Sequence, residues 1–273
     1  MNPEIVKNPD SHILDFVKDS NIVALTLKNA FLIEGIVSLD SRYRRDAAGN
    51  LPDENYDPIR NRDDAKGLYC GSSVYWFGSM NKATTEEDFR KVLQGAVNAV
   101  DRANTTHLTA SVEGRKKMAD IIYDQCHDVN DLRCRLNEEY SVENENHILN
   151  LMLQPPPAIK ESNQVRYNLS FASKFCCYAA DYFNADYKYP KYDGVVASNL
   201  PQYAKLYLGR RVKKTEFQTP SNQTNRSWKD YGKVYKKYAD CIRDILLSLK
   251  DDCGIELTMQ ELDHIIWYTS KSR

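Results

Sequence analysis

The chain has no net charge to speak of: 37 Lys and Arg stand against 38 Asp and Glu over 273 residues, a formal net charge of −1. A balance this even demands neither a nucleic acid nor an anionic membrane as partner. No stretch approaches 18 consecutive apolar residues, so no membrane span is expected. The opening residues MNPEIVKNPD hold no apolar core of a signal peptide. The seven cysteines are an odd number and contain no CxxC. That excludes the usual zinc and iron–sulfur ligand spacings and points to reduced, buried thiols in a cytoplasmic protein. Neither a metal nor any other cofactor is expected. No repeat of solenoid period occurs, and alternating strand patterns are scarce.

Helical periodicity is plentiful. In TTEEDFRKVLQGAVNAVDRA, residues Phe89, Val92, Leu93, Ala96, Val97 and Val100 share one face behind a threonine cap and an acidic first turn. In KDYGKVYKKYADCIRDILLSLKDDCG, a stripe runs from Tyr231 through Val234, Tyr235, Tyr238, Cys241, Ile242, Ile245 and Leu246 to Leu249, and Gly254 marks the stop. Thr258 and Glu261 form a capping box for a last helix. Shorter helices are expected at 11–18, 112–126, 129–138, 141–153 and 194–207. Residues 22–39 fit a strand pair or a helix, and 67–80 fit one short strand. The three prolines within 153–164 break the chain, and 46–64 and 210–229 read as long polar connections. The expected fold is mostly α, in two helical lobes with at most a few short strands. Residues 1–160 make an N-terminal region and 161–273 a second lobe, and the two can fold as one unit.

Beneath the neutral total the charge is uneven. Residues 201–240 carry ten Lys and Arg against Glu216, Asp230 and Asp240. Arg210, Arg211, Lys213 and Lys214 are the densest part. Such a face either binds a phosphate backbone or is a solvated helix surface. SRYRR at 41–45 is a second basic cluster. His107, His127 and His147 share no metal or triad spacing and read as structural.

The stretch LSFASKFCCYAADYFNADYKYPKYDGVVASNL, residues 169–200, carries the strongest chemical signal. Ser170 can cap a helix whose buried face is Ala172, Phe175, Cys176, Ala179 and Phe183, with Lys174 off that face near the positive helix end. From Lys174 to Phe183 the helix rises roughly 14 Å. The ten residues after it can span at most ~33–36 Å. The chain can therefore return, and Asp193, a good cap for the following helix, can arrive beside Lys174. Such a pair is either a nucleophilic amine with its proton acceptor or a salt bridge.

SFASKF followed by YKYPKYD resembles the motif region of the helix–hairpin–helix DNA glycosylase superfamily, in its 8-oxoguanine-glycosylase-like branch. The likeness extends to prokaryotic proteins with that fold. In that superfamily a lysine follows the hairpin, and a catalytic aspartate follows 19 residues later, shortly after a proline. Here those positions are Lys174, Asp193 and Pro190. The resemblance covers 168–200 and, through ELDHIIWY at 261–268, more loosely 231–268. The glycine-bearing hairpin is replaced by NLSFAS, in which Ser170 and Ser173 are the available phosphate donors.

The resemblance implies double-stranded DNA as partner, with one nucleotide flipped into a pocket because its glycosidic bond is unreachable inside the stack. It implies Lys174 as nucleophile at C1′ and Asp193 as its activator. It also leaves strand-nicking AP-lyase activity open to the enzyme. Cys177, Tyr178, Asp263 and Trp267 are base-pocket candidates on the same ground, and an aromatic wedge within VYWFG (74–78) is another. The target is a hypermodified base of phage DNA, as in antiviral defence, or an oxidised purine. Two other readings remain at this point: a catalytically inactive nucleic-acid-binding module, and an interaction subunit of a defence system.

Overall fold

The computed structural model describes residues 73–104, 108, 112–154, 168–220 and 227–271. The expectations for 11–18, 22–39, 41–45, 46–64 and His107 lie outside these residues. Among them the chain is mostly helical and contains no strand. In chain order the helices are α1 (Ser73–Met80), α2 (Glu86–Asn104), α3 (Val112–Tyr123), α4 (Val129–Leu136), α5 (Ile148–Leu153), α6 (Leu169–Tyr182), α7 (Gly194–Leu208), a 3-10 turn (Lys214–Glu216), α8 (Trp228–Cys253) and α9 (Met259–Lys271).

The chain divides into two compact units that are not contiguous in sequence. One takes in the described residues of Leu68–Tyr192 and Phe217–Ala239; the other takes in those of Asp193–Glu216 and Asp240–Arg273.

The first unit is organised around α6, which packs against α1, α2, α4 and α5. Ten of its side chains are buried, from Leu169 to Ala180. A helix enclosed on nearly every side needs apolar or internally satisfied residues all round. α2 buries its expected stripe: Phe89, Leu93, Ala96, Val97 and Val100 are buried. Thr85 caps it by accepting the Asp88 N–H at 3.1 Å. The run at 67–80 is helical in its described part, as α1, where a short strand was expected. Phe77 explains why. Its ring is fully buried and meets Phe175 and Phe183 edge-on, a tertiary gain that overrides the strand preference of an aromatic run. Phe77 is thus core and not a wedge. Helix α2 accepts Trp76 because position 95 is glycine, and a Cβ there would overlap the indole.

The expected helix at 141–153 shrinks to α5. The chain before it is held instead by Asn150, which donates to the carbonyls of Ser141 and Asn144, both at 2.8 Å, and accepts from Tyr140 Oη at 2.9 Å. His147 caps α5 by accepting the Leu149 N–H at Nδ1.

In the second unit α7 packs on α9 and on the 3-10 turn. Ser248 Oγ on α8 donates to the Tyr207 carbonyl at 2.8 Å. The Thr258–Glu261 capping box forms in both directions, at 2.7 and 3.2 Å. Helix α8 ends in a left-handed glycine cap of the αL type. Gly254 has φ +67°, its N–H reaches the Lys250 carbonyl, and Ile255 N–H reaches that of Leu249 at 2.9 Å.

Candidate active site

Helix α6 begins at Leu169, with Asn168 at the cap position making no side-chain cap bond. Ser170 lies inside the helix and is not its cap. Lys174 is consequently the sixth helical residue, past the first turn where the helix dipole acts most strongly. It is also buried, with 8% of its surface exposed, where a position off the buried face was expected.

Ser173, the residue before Lys174, is fully buried. Its hydroxyl donates to the Ser170 carbonyl at 3.2 Å and accepts the backbone N–H of Tyr192 at 2.9 Å. Both directions of the hydroxyl are used inside the protein, so Ser173 does not present it to a phosphate, contrary to its expected role. Ser170 is half-buried on the same turn.

The bond from Ser173 to Tyr192 spans 19 residues, the spacing of Lys174 and Asp193 moved back by one. Tyr192 belongs to a buried segment, Tyr189–Tyr192, that is neither helix nor strand. Buried backbone groups without ladder partners must find them elsewhere, and here tyrosines of α8 supply them. Tyr235 Oη donates to the Pro190 carbonyl at 3.1 Å, and Tyr238 Oη to the Lys191 carbonyl at 2.8 Å. The Tyr192 hydroxyl donates to the Phe217 carbonyl at 2.7 Å and accepts the Thr219 N–H at 3.1 Å. Tyr189 Oη donates to the Glu138 carbonyl at 3.2 Å and lies 3.3 Å from His147 Nε2. Burial drives the Tyr235 phenol well above its ordinary range, so it stays a donor.

Asp193 follows at once. Its backbone is extended (φ −126°, ψ 135°), and Oδ1 accepts the Val195 N–H at 2.8 Å, capping α7 as its spacing indicated.

Cys177 and Tyr178 stand one turn beyond Lys174 on α6. Cys177 is buried, with Sγ 3.8 Å from Asp181 Oδ2. The Tyr178 ring carries Lys191 Nζ at 4.9 Å from its centre, so one ring face is engaged by an ammonium. The Asp181 carboxyl is raised by burial, an effect opposed by Lys188 and Lys191. Lys191, 7% exposed, was not singled out by sequence, where it reads as one more charge in a tyrosine-rich loop. Asp263 and Trp267 sit on α9, buried and half-buried respectively.

Of the basic candidates, Arg210 pairs with Asp244 at 2.9 Å. Arg211, Lys213 and Lys214 are exposed. They follow Gly209, whose φ of +61° ends α7.

No three His, Cys, Asp or Glu among the described residues gather as a metal site. Cys126 is pushed up to about 12 by burial, and burial carries Cys176 well up too, so these thiols stay protonated. His147 is structural, with burial lowering it to about 4. No described helix is long and apolar enough to cross a membrane. No known protein-family profile matches the chain, and comparison with curated proteins and with solved structures finds no match.

Proposed function

We propose that this chain is a DNA glycosylase that releases a modified base from double-stranded DNA. Lys174 is the nucleophile and Asp193 its partner. The observation that carries the reading is the Ser173–Tyr192 hydrogen bond at 2.9 Å. It joins the residues that precede the two candidates, fixing both stretches of backbone in one buried arrangement.

In this reaction the amine of Lys174 attacks C1′ of a flipped nucleotide. The C1′–N bond to lysine forms as the glycosidic bond breaks, and the base departs with its electron pair and takes up a proton. Asp193 receives the proton lost by the lysine amine and offsets positive charge on the opening sugar. The C1′–O4′ bond then breaks as O4′ takes up a proton, leaving a ring-opened imine that is hydrolysed, or that loses the 3′ phosphate by β-elimination as an AP lyase. The exposed Arg211, Lys213 and Lys214 meet backbone phosphates. Tyr178, whose ring carries Lys191 Nζ at 4.9 Å from its centre, lines the base pocket in this reading. The substrate is a hypermodified phage base or an oxidised purine.

The reading is tested by mass spectrometry of bases freed from a DNA panel of oxidised, alkylated, deaminated and hypermodified phage DNA. Wild type and Lys174→Ala are compared side by side. A base released only by wild type supports it. Salt-sensitive DNA binding with no release from any member identifies a binding module instead.

A further inference from the structure

The segment that delivers Asp193 is held in an unusual way. Three consecutive residues give backbone groups to side-chain hydroxyls: Pro190 O to Tyr235, Lys191 O to Tyr238, and Tyr192 N–H to Ser173. Ser173, Tyr235 and Tyr238 all have 0% exposure. No residue intervenes between the last held group and Asp193, and successive Cα atoms are fixed about 3.8 Å apart. The position of residue 192 therefore limits where residue 193 can be placed. Ser173 is in turn the chain neighbour of Lys174.

We propose that Ser173, Tyr235 and Tyr238 are positioning residues for base excision: their hydroxyls clamp Pro190–Tyr192 and so fix how Asp193 is presented for its part in the reaction. The proposal rests on the glycosylase reading and adds three residues to it, none of which touches the substrate. Rings and hydroxyls separate cleanly here. The Tyr238 ring packs edge-on against Tyr192 at 5.2 Å between centres and that of Tyr235 against Tyr140 at 5.0 Å. A Tyr→Phe change therefore keeps the packing and deletes only the grip.

A control exists on the same helix. Tyr231 Oη donates to the Pro220 carbonyl at 3.1 Å, the same kind of bond made outside the clamp. The test is the rate at which borohydride traps the imine between protein and a duplex carrying one abasic site. In that reaction the amine condenses with the C1′ aldehyde, losing water, and hydride from borohydride reduces the C=N bond. Tyr235→Phe, Tyr238→Phe and Ser173→Ala are each expected to slow trapping at saturating DNA by about tenfold or more, with half-saturation moved by less than about twofold, because misplacement of a reacting group acts on rate and not on binding. Tyr231→Phe leaves both quantities at the wild-type value.

Equal slowing by Tyr231→Phe, or no slowing by either clamp tyrosine, overturns the proposal and leaves the clamp as structural support only. In both cases a Lys174-dependent adduct in wild type keeps the glycosylase reading standing. Absence of that adduct from wild type bound to the duplex overturns the reading and the clamp together.

Discussion

Acid should loosen the part of the fold that leads to Asp193, and His147 is the reason. Its ring is fully buried, and Nδ1 accepts the Leu149 N–H at 3.2 Å, so the ring proton sits on Nε2, facing the Glu138 carbonyl at 3.3 Å. Protonation would set a second N–H against the Leu149 N–H and place a charge where water cannot reach it. Burial accordingly lowers this histidine from 6.5 to about 4. Because the folded value is depressed, the neutral form is the one that favours folding. That contribution is whole above about pH 6.5 and is lost as pH falls toward 4.

The fall from 6.5 to about 4 corresponds to about 3 kcal/mol at 1.36 kcal/mol per pH unit. Urea unfolding followed by far-UV circular dichroism between about pH 7.5 and 4 measures it, through the midpoint at constant slope. Wild type is compared with His147→Asn, which keeps a cap acceptor but does not titrate. The wild type should lose about 3 kcal/mol more than the variant over this interval. Parallel curves for the two proteins would refute the argument, because the remaining acid sensitivity would then belong to carboxylates that both share.

Gly95→Ala places a methyl group on the Trp76 ring. Overpacking of this kind should lower stability by about 1–3 kcal/mol despite alanine's better helix propensity, as read from the urea midpoint. A stabilised variant would show that Trp76 has room to move. Changing Arg211, Lys213 and Lys214 together to Gln should flatten the dependence of log K on log salt for duplex DNA by about 0.9 for each phosphate that is no longer neutralised. An unchanged slope would mean that other cations meet the phosphates.

The helices that could be read from sequence are those whose signals are local and repeated. The stripe of α8 from Tyr231 to Leu249, its glycine stop and the capping box of α9 all lie within a few residues of the structure they specify. Asp193 as the cap of α7 belongs with them. What could not be read was decided at long range. Residues 73–80 are helical because Phe77 finds Phe175 and Phe183 about a hundred residues later. Lys174 is buried because α6 is surrounded by four other helices, whereas helical periodicity reports only one face.

The hydroxyl clamp leaves a single trace in the sequence, the tyrosines at 235 and 238 on an inward stripe that also holds Tyr231. A buried tyrosine needs a partner for its hydroxyl, but nothing local says that two of those partners are the carbonyls of Pro190 and Lys191. Ser173 is deceptive for the same reason. Placed beside a lysine in a motif that resembles a DNA-contacting hairpin, its hydroxyl looks available until Tyr192 is seen to occupy it.

The central claim is that Lys174 is the nucleophile. Lys191 is a rival amine, buried to nearly the same extent at 7% against 8%. The direct measurement is to trap the protein with borohydride on a duplex carrying an abasic site, digest the adduct, and locate the modified lysine by peptide mass spectrometry. The account predicts the deoxyribose fragment on the peptide containing Lys174 and its loss in Lys174→Ala. The fragment on Lys191, or no adduct on protein shown to be bound to the duplex, would contradict it.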